Sequence, residues 1–202
     1  MSDADIVRNK FLPWYRAHGD QVRALGYGST RSQEVRFEQF LRGFDLSGAR
    51  ILDVGCGFGD LFPFMVSRGV SPCSYMGVDL LEEFVLEARR RVTDERCRFE
   101  ARNFIVDDVG ELSVDYAIAC AALNTNFPNR DEFVKKFLTR MWELSSKGFG
   151  FSMECSYGFK GRALELNLDP AYWLDYVCRT FTHRLVLFSD YHDADFTICV
   201  YK

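Results

Sequence analysis

The spacing of apolar residues changes character once along this chain, near residue 46. Before that point Phe37, Phe40, Leu41 and Phe44 recur at helical intervals, and the first forty-five residues are expected to be helical. Pro13 should kink or end the earlier helix, because proline has no N–H and its ring crowds the preceding turn. Gly26-Tyr27-Gly28-Ser29 is a turn-rich break between the two helical pieces.

Past residue 46, short apolar runs alternate with helical stripes. Residues 49–54 (ARILDV) run into glycines, as a buried strand does before a tight turn, and 61–66 follow as a helix. Residues 74–79 (SYMGVD) give a second strand. Residues 82–92 give a helix with Phe84, Val85, Ala88 and Val92 on one face. Third and fourth strands are read at 97–102 and 114–120, and a fifth at 148–153. Between the last two, Phe133, Val134, Phe137, Leu138, Met141 and Trp142 make one stripe of a helix over 131–144. Strands alternating with helices predict a parallel sheet with right-handed crossovers and helices on both faces.

The end of the chain departs from this rhythm. Asp169 is placed to N-cap a helix with Pro170 at its first position, and Trp173, Leu174, Val177 and Phe181 give that helix an apolar side. Residues 184–189 and 196–201 then read as two strands joined by only six residues, 190–195. A parallel crossover needs a dozen or more, so these last two strands must pair antiparallel.

Composition narrows the picture. With 202 residues, 48% of them apolar, the chain has enough for one core. It is therefore expected to be a single domain, with 1–45 a helical cap and 46–202 the sheet-bearing part. The net charge is −4, which argues against a general nucleic-acid binder; the basic run Arg89-Arg90-Arg91 reads as a solvated helix face. No stretch has the roughly 18–20 apolar residues of a membrane span, and the acidic first residues open no signal-like run. Seven scattered cysteines without a C-x-x-C pair, and only three histidines, disfavour a metal site. The thiols are expected to be reduced, in a cytoplasmic setting.

The sharpest signal is Asp53-Val54-Gly55-Cys56-Gly57-Phe58-Gly59-Asp60, which follows the first strand and opens the first sheet helix. Ligands of open α/β sheets bind at such a place, beyond the carboxyl ends of the strands. The spacing is not the dinucleotide G-x-G-x-x-G, whose third glycine would fall where Asp60 stands, and no P-loop lysine follows. Flanking carboxylates Asp53 and Asp60 would repel a pyrophosphate; they suit a ligand with a cationic end and no phosphate, such as S-adenosylmethionine. Asp79, twenty residues after Gly59, ends the second strand, where a carboxylate can accept both ribose hydroxyls.

The run Asp53–Gly59 resembles the first motif of class I S-adenosylmethionine-dependent methyltransferases, over residues 49–154 by motif and through 202 by element order. The resemblance implies a Rossmann-like three-layer α/β sandwich: a seven-stranded, mostly parallel sheet with an antiparallel last strand, here preceded by an N-terminal helical cap. It implies S-adenosylmethionine as cofactor, S-adenosylhomocysteine as product, and Asp53, Gly55, Cys56, Gly57, Gly59 and Asp79 around them. Leu80 and Leu81 would sit against the adenine. Asn103 stands where the family often has an aspartate on the adenine amino group, a departure, and Phe104 would lend its N–H or ring. The backbone at Ala119–Ala121, with Cys120, would face the methionine part. From the cap, Tyr15 would stack over the cofactor and Arg31 pair its carboxylate.

The acceptor is less legible. Candidate catalytic or acceptor-side residues are Asn124 and Asn126 after the fourth strand, Glu154, Ser156 and Tyr157 after the fifth, and Tyr191 and His192 in the final hairpin. His192 would be a general base. The segment after Cys120 lacks the Asn/Asp-Pro-Pro-Tyr/Phe signature of amino-nitrogen methylation, so DNA is not the expected acceptor. A small molecule is, with the chain acting as a monomer or homodimer and no membrane partner. Three other readings stay open: a non-catalytic cofactor-binding sensor, a methyltransferase of protein or RNA, and a nicotinamide oxidoreductase.

Overall fold

The computed structural model describes residues 2–107, 114–158 and 168–202. Two helices open the chain, α1 (Asp3–His18) and α2 (Thr30–Gly43), with a short 3-10 turn at Val22–Leu25 between them. Ser2 caps α1 through a reciprocal bond with Asp5, and Ser29 caps α2 by accepting from Ser32 N–H. Pro13 does not end the first helix: it lies inside α1, which continues to His18. The sacrificed hydrogen bond is offset by the packing of α1 residues on their neighbours, among them Val7, Phe11 and Tyr15.

The sheet is built from β1 (Arg50–Val54), β2 (Ser74–Asp79), β3 (Cys97–Ala101), β4 (Val114–Cys120), β5 (Ser145–Glu154), β6 (Leu185–Phe188) and β7 (Asp195–Tyr201). Helices α3 (Leu61–Ser67), α4 (Glu82–Arg91), α5 (Arg130–Leu144) and α6 (Pro170–Thr180) complete the order. Seven strands lie in the order β3-β2-β1-β4-β5-β7-β6. The first five named here run parallel, and β7 inserts antiparallel between β5 and β6. The six-residue connection foreseen from the sequence imposes that antiparallel pairing. The order reverses beside β1, which puts a crevice at the carboxyl ends of β1 and β4.

Alternate residues of each strand feed two cores. Leu52, Val54, Ala117 and Phe149 face one side, under Val134, Phe137, Leu138 and Met141 of α5 and Trp173 and Val177 of α6. Ile51, Tyr75, Phe99, Tyr116 and Ile118 face the other, under α2, α3 and α4. This corrects the boundary of the cap: α2 is one of the sheet-covering helices, with Phe40 and Phe44 packed where a Cβ on Gly150 would come within 3.0 Å of their rings. The roof proper is α1, the turn after it and the first half of α2.

The run Arg89-Arg90-Arg91 is a solvated face, as the sequence suggested, at the exposed Arg89 and Arg90, and is half-buried at Arg91. Arg89 donates to the Phe99 carbonyl, Arg90 to Glu87, and Arg91 to Glu87, Asp60 and the Asp20 carbonyl, with its guanidinium over the Phe58 ring. Among the described residues no helix is long and apolar enough to cross a membrane.

Candidate functional site

The bend after β1 is made by backbone that L-residues seldom adopt: Gly55 has φ +76° and Gly57 φ +53°. A Cβ on Gly55 would lie 2.5 Å from that of Ala122, and one on Gly57 would meet the Leu25 side chain at 3.0 Å. The bend therefore needs bare backbone both for its shape and for the space beside it. Gly55 and Cys56 N–H donate to the Val78 carbonyl at 2.8 and 3.1 Å, pinning the bend to β2. Gly59, at φ +75°, shares the left-handed backbone but lies outside the cavity wall, where a Cβ would press the Phe99 ring at 2.8 Å.

Asp79, at the end of β2, accepts from Gly57 N–H at 2.9 Å through one oxygen and from Leu81 N–H at 3.0 Å through the other. Burial raises its pKa, and the backbone donors work against that rise. Each carboxylate oxygen keeps a further lone pair, so two vicinal hydroxyls can be accepted beside the loop that the carboxylate holds in place.

A cavity opens above these groups. Asp53–Gly57, Val78–Leu80 and Cys120–Ala122 form its floor. Val7 and Phe11 of α1, with Leu25, Tyr27, Gln33 and Phe37, form its roof. Its far wall is aromatic: Phe104 packs on Phe137 with centroids 4.8 Å apart, and Phe127 stacks on Phe133 at 4.1 Å. Such a slot, apolar on its faces and polar at a few points, suits a flat heteroaromatic ring next to a sugar.

The charges are sorted differently from the sequence reading. Asp53 is fully buried in the floor, takes a hydrogen bond from the Tyr75 hydroxyl, and is pushed by burial to a pKa of about 7. Asp60, expected to flank the ligand, turns its carboxylate away to Gln33 Nε2 at 3.1 Å and Arg91 at 3.0 Å. The carboxylates facing the cavity are Asp53 and Asp79, with Arg102 beside Asp79, to whose carbonyl its N–H donates at 2.8 Å. Two acids, two bare glycines and an apolar slot fit a cationic nucleoside such as S-adenosylmethionine.

Of the residues singled out from the sequence, Asp53, Gly55, Cys56, Gly57, Asp79, Leu80, Phe104 and Cys120 come together in this cavity. Cys120 is pushed by burial to a pKa of about 11, with Tyr27 and Ser152 hydroxyls each 3.6 Å from its sulfur, so it is a protonated, inert thiol. Besides Gly59 and Asp60, further expected residues lie elsewhere, among them Leu81, which is outside the cavity wall. Asn103 lies outside the wall, its carbonyl accepting from Ile105 N–H at 3.0 Å in a local turn. Tyr15 packs edge-on to Phe84, one layer behind the roof. Arg31 points to solvent and pairs with Glu38 at 2.9 Å. Tyr157 is 69% exposed and bonds Asp169 at 2.9 Å, beside the N-terminus of α6.

The remaining acceptor-side candidates, Asn124, Asn126, Glu154, Ser156, Tyr191 and His192, are not part of the cavity wall. Asn124 accepts from Glu154 N–H at 3.0 Å and so joins the β4 loop to the end of β5. His192 sits in the β6–β7 connection, its Nδ1 2.6 Å from the buried Asp195 carboxylate. The same Nδ1 lies 3.2 Å from the Ala194 N–H, so it is placed to accept from that amide or, when it carries a proton, to donate to Asp195, and in either case Nε2 is left outside these contacts. Asp195 is shared with Arg36 of α2 at 2.5 Å. Because Asp195 pairs with Glu154 across β5 and β7, this group lies at the same end of the sheet as the cavity.

Several participants were not visible in the sequence. Gln33 lies on α2, which was read only for its apolar face, Phe37 included. Lys10 on α1 reaches the Asn124 carbonyl at 3.3 Å and Thr125 Oγ1 at 3.4 Å, and burial lowers its pKa. Nothing in the spacing of these polar side chains marks them, because the roof is brought over the crevice by tertiary packing alone.

Residues 51–148 match a family described as a methyltransferase domain. Rv1506c of Mycobacterium tuberculosis, named as a methyltransferase, is 28% identical over 161 residues, spanning 75% of this chain and 92% of that protein. The ubiquinone biosynthesis O-methyltransferase of Xylella fastidiosa is 28% identical over 132 residues, covering 63% of this chain and 50% of the enzyme. Among solved structures, a SAM-dependent methyltransferase of Leishmania major superposes with TM-score 0.71 at 13% identity, over 96% of this chain and 82% of its own. An S-adenosylmethionine-dependent methyltransferase of Clostridium acetobutylicum gives TM-score 0.63 at 15% identity, over 96% and 98%. At such identities the structures bear on the fold.

Proposed function

We propose that this chain, of which residues 51–148 match a methyltransferase-domain family, is a class I S-adenosylmethionine-dependent methyltransferase whose acceptor is a small molecule methylated under the α1 roof. The observation that carries this reading is the roof itself: Val7, Phe11, Leu25 and Tyr27 close over the crevice, leaving an apolar slot rather than an open groove. The bound cofactor supplies an already activated methyl group. What the chain supplies is alignment, exclusion of water and a place for a proton.

Asp79 fixes the sugar, Leu80 and Phe104 flank the base, and Asp53 with the Gly55–Gly57 backbone faces the cationic end. The acceptor then approaches from the rim of β4, β5 and β7, where Lys10, Asn124 and Thr125 are joined and His192 is held by Asp195. The name of the Xylella relative denotes O-methylation, and a hydroxyl acceptor fits this rim, because it must lose a proton that His192 Nε2 can take.

The test is methyl transfer from labelled donor to a panel of phenols, catechols, small carboxylic acids and amines, with RNA and unfolded protein as competitors. Label in a small-molecule product supports the reading. Label confined to RNA or protein overturns the acceptor class, and cofactor binding without any transfer supports a sensor role.

A further inference from the structure

Gln33 occupies a wall between two spaces. It lines the cavity together with Asp53 and Gly57, and it also lines a polar groove on the outer side with Asp60 and Arg91. Its amide is not free to turn. Asp60 accepts a hydrogen bond from Gln33 Nε2 at 3.1 Å, and a carboxylate has no hydrogen to offer the amide oxygen. Asp60 is fixed in turn by Arg91 at 3.0 Å, and Arg91 also holds Glu87 at 2.6 Å. The nitrogen therefore belongs to the groove side and the oxygen to the cavity side. Among the described residues no donor takes the Gln33 oxygen.

We infer that Gln33 is a specificity residue for the cofactor's amino-acid ammonium, with Asp60 and Arg91 as the positioning residues that keep its carbonyl turned inward. The inference rests on the cofactor assignment above. Asp79 anchors the sugar and Leu80 and Phe104 the base, so the amino-acid arm extends the other way, over Gly55 toward Asp53, Tyr27 and Gln33. An ammonium there needs acceptors. Asp53 offers one buried carboxyl oxygen, since the other already takes the Tyr75 hydroxyl, and an ammonium has three N–H groups to satisfy. A neutral amide oxygen carries no such burial cost and stays an acceptor at every pH. The role the sequence reading gave to Arg31, contact with the amino-acid arm, thus passes to a residue two positions on that faces inward.

The experiment compares two ligands on three proteins by calorimetry: S-adenosylhomocysteine, and methylthioadenosine, which keeps the base, sugar and sulfur but lacks the amino-acid arm. Gln33→Leu should weaken S-adenosylhomocysteine about tenfold, one charge-assisted hydrogen bond, and leave methylthioadenosine within twofold. Asp60→Asn should move the same ligand in the same direction by a smaller factor, because Asn can donate to the Gln33 oxygen and release the amide to flip. Equal weakening of both ligands, or no weakening of either, overturns the inference and leaves Gln33 a packing residue. Failure of the folded wild type to bind either ligand would instead strike at the cofactor assignment, so the two failures are distinct. Thermal melting of each variant establishes that a loss is not unfolding.

Discussion

Asp53 is a carboxylic acid whose ionisation the fold resists. Burial lifts it from the ordinary carboxylate value of 3.8 to about 7, so the native state favours the protonated acid. A raised acid contributes stability that is whole below about pH 4 and is lost as pH rises through about 7. The wild type should therefore lose melting temperature relative to Asp53→Asn between those limits, and parallel melting curves would remove the effect. A cationic ligand beside the carboxyl favours its charged form, so affinity for the methyl donor should rise over the same interval. At the glycine bend, Gly57→Val would drive a side chain into Leu25 from a backbone at φ +53°. Binding of S-adenosylhomocysteine should fall at least tenfold by calorimetry; normal affinity in a folded variant would displace the loop from the site. The sequence made these residues legible because bare backbone and a strand-end acid have few alternatives. It misjudged Arg31 and Asn103 because a solvent-facing partner, Glu38, and a local turn claimed their side chains. It also overlooked Gln33, whose role depends on a contact across the chain with Asp60.

Among the elements, α2 links the sheet to the roof. Its Arg36 pairs with Asp195 at the start of β7, with side-chain exposures of 10% and 1%, and Asp195 also orients His192. Breaking a buried pair from one side leaves a stranded charge at a cost of about 3–5 kcal/mol, so Arg36→Met should lower the melting temperature by roughly 6–20 °C. A change under about 2 °C would mean that water already reaches the pair. Once an acceptor is found, His192→Asn should reduce kcat by about 10²–10⁴-fold with little change in cofactor affinity if the ring takes the proton. An unaltered kcat would leave it a surface residue held by Asp195. The element order could be read ahead because periods of two and of about 3.6 are written directly in apolar spacing, and a six-residue link permits only an antiparallel pair. Pro13 could not, since what carries α1 past it is packing on Phe58 and Phe84, far along the chain.

At the scale of the whole molecule, one end of the sheet gathers everything chemical. The carboxyl ends of β1, β2 and β4 provide the cofactor floor, those of β4 and β5 with the start of β7 provide the acceptor rim, and α1 and α2 cover both. The arrangement explains why the cofactor could be inferred from sequence and the acceptor could not. The floor is local, built from loops directly after strands, whereas the rim is assembled from Lys10, Asn124, Glu154 and His192, which meet only in the folded chain. The account rests on Asp79 as the anchor of a nucleoside above the glycine bend. Calorimetric titration of the wild type and Asp79→Ala with S-adenosylhomocysteine tests it most directly. The wild type should bind with one site. The variant, having lost charge-assisted hydrogen bonds of about 1.5–3 kcal/mol, should bind roughly 10–100-fold more weakly. Equal affinity in both proteins, or no heat from the wild type, would contradict it.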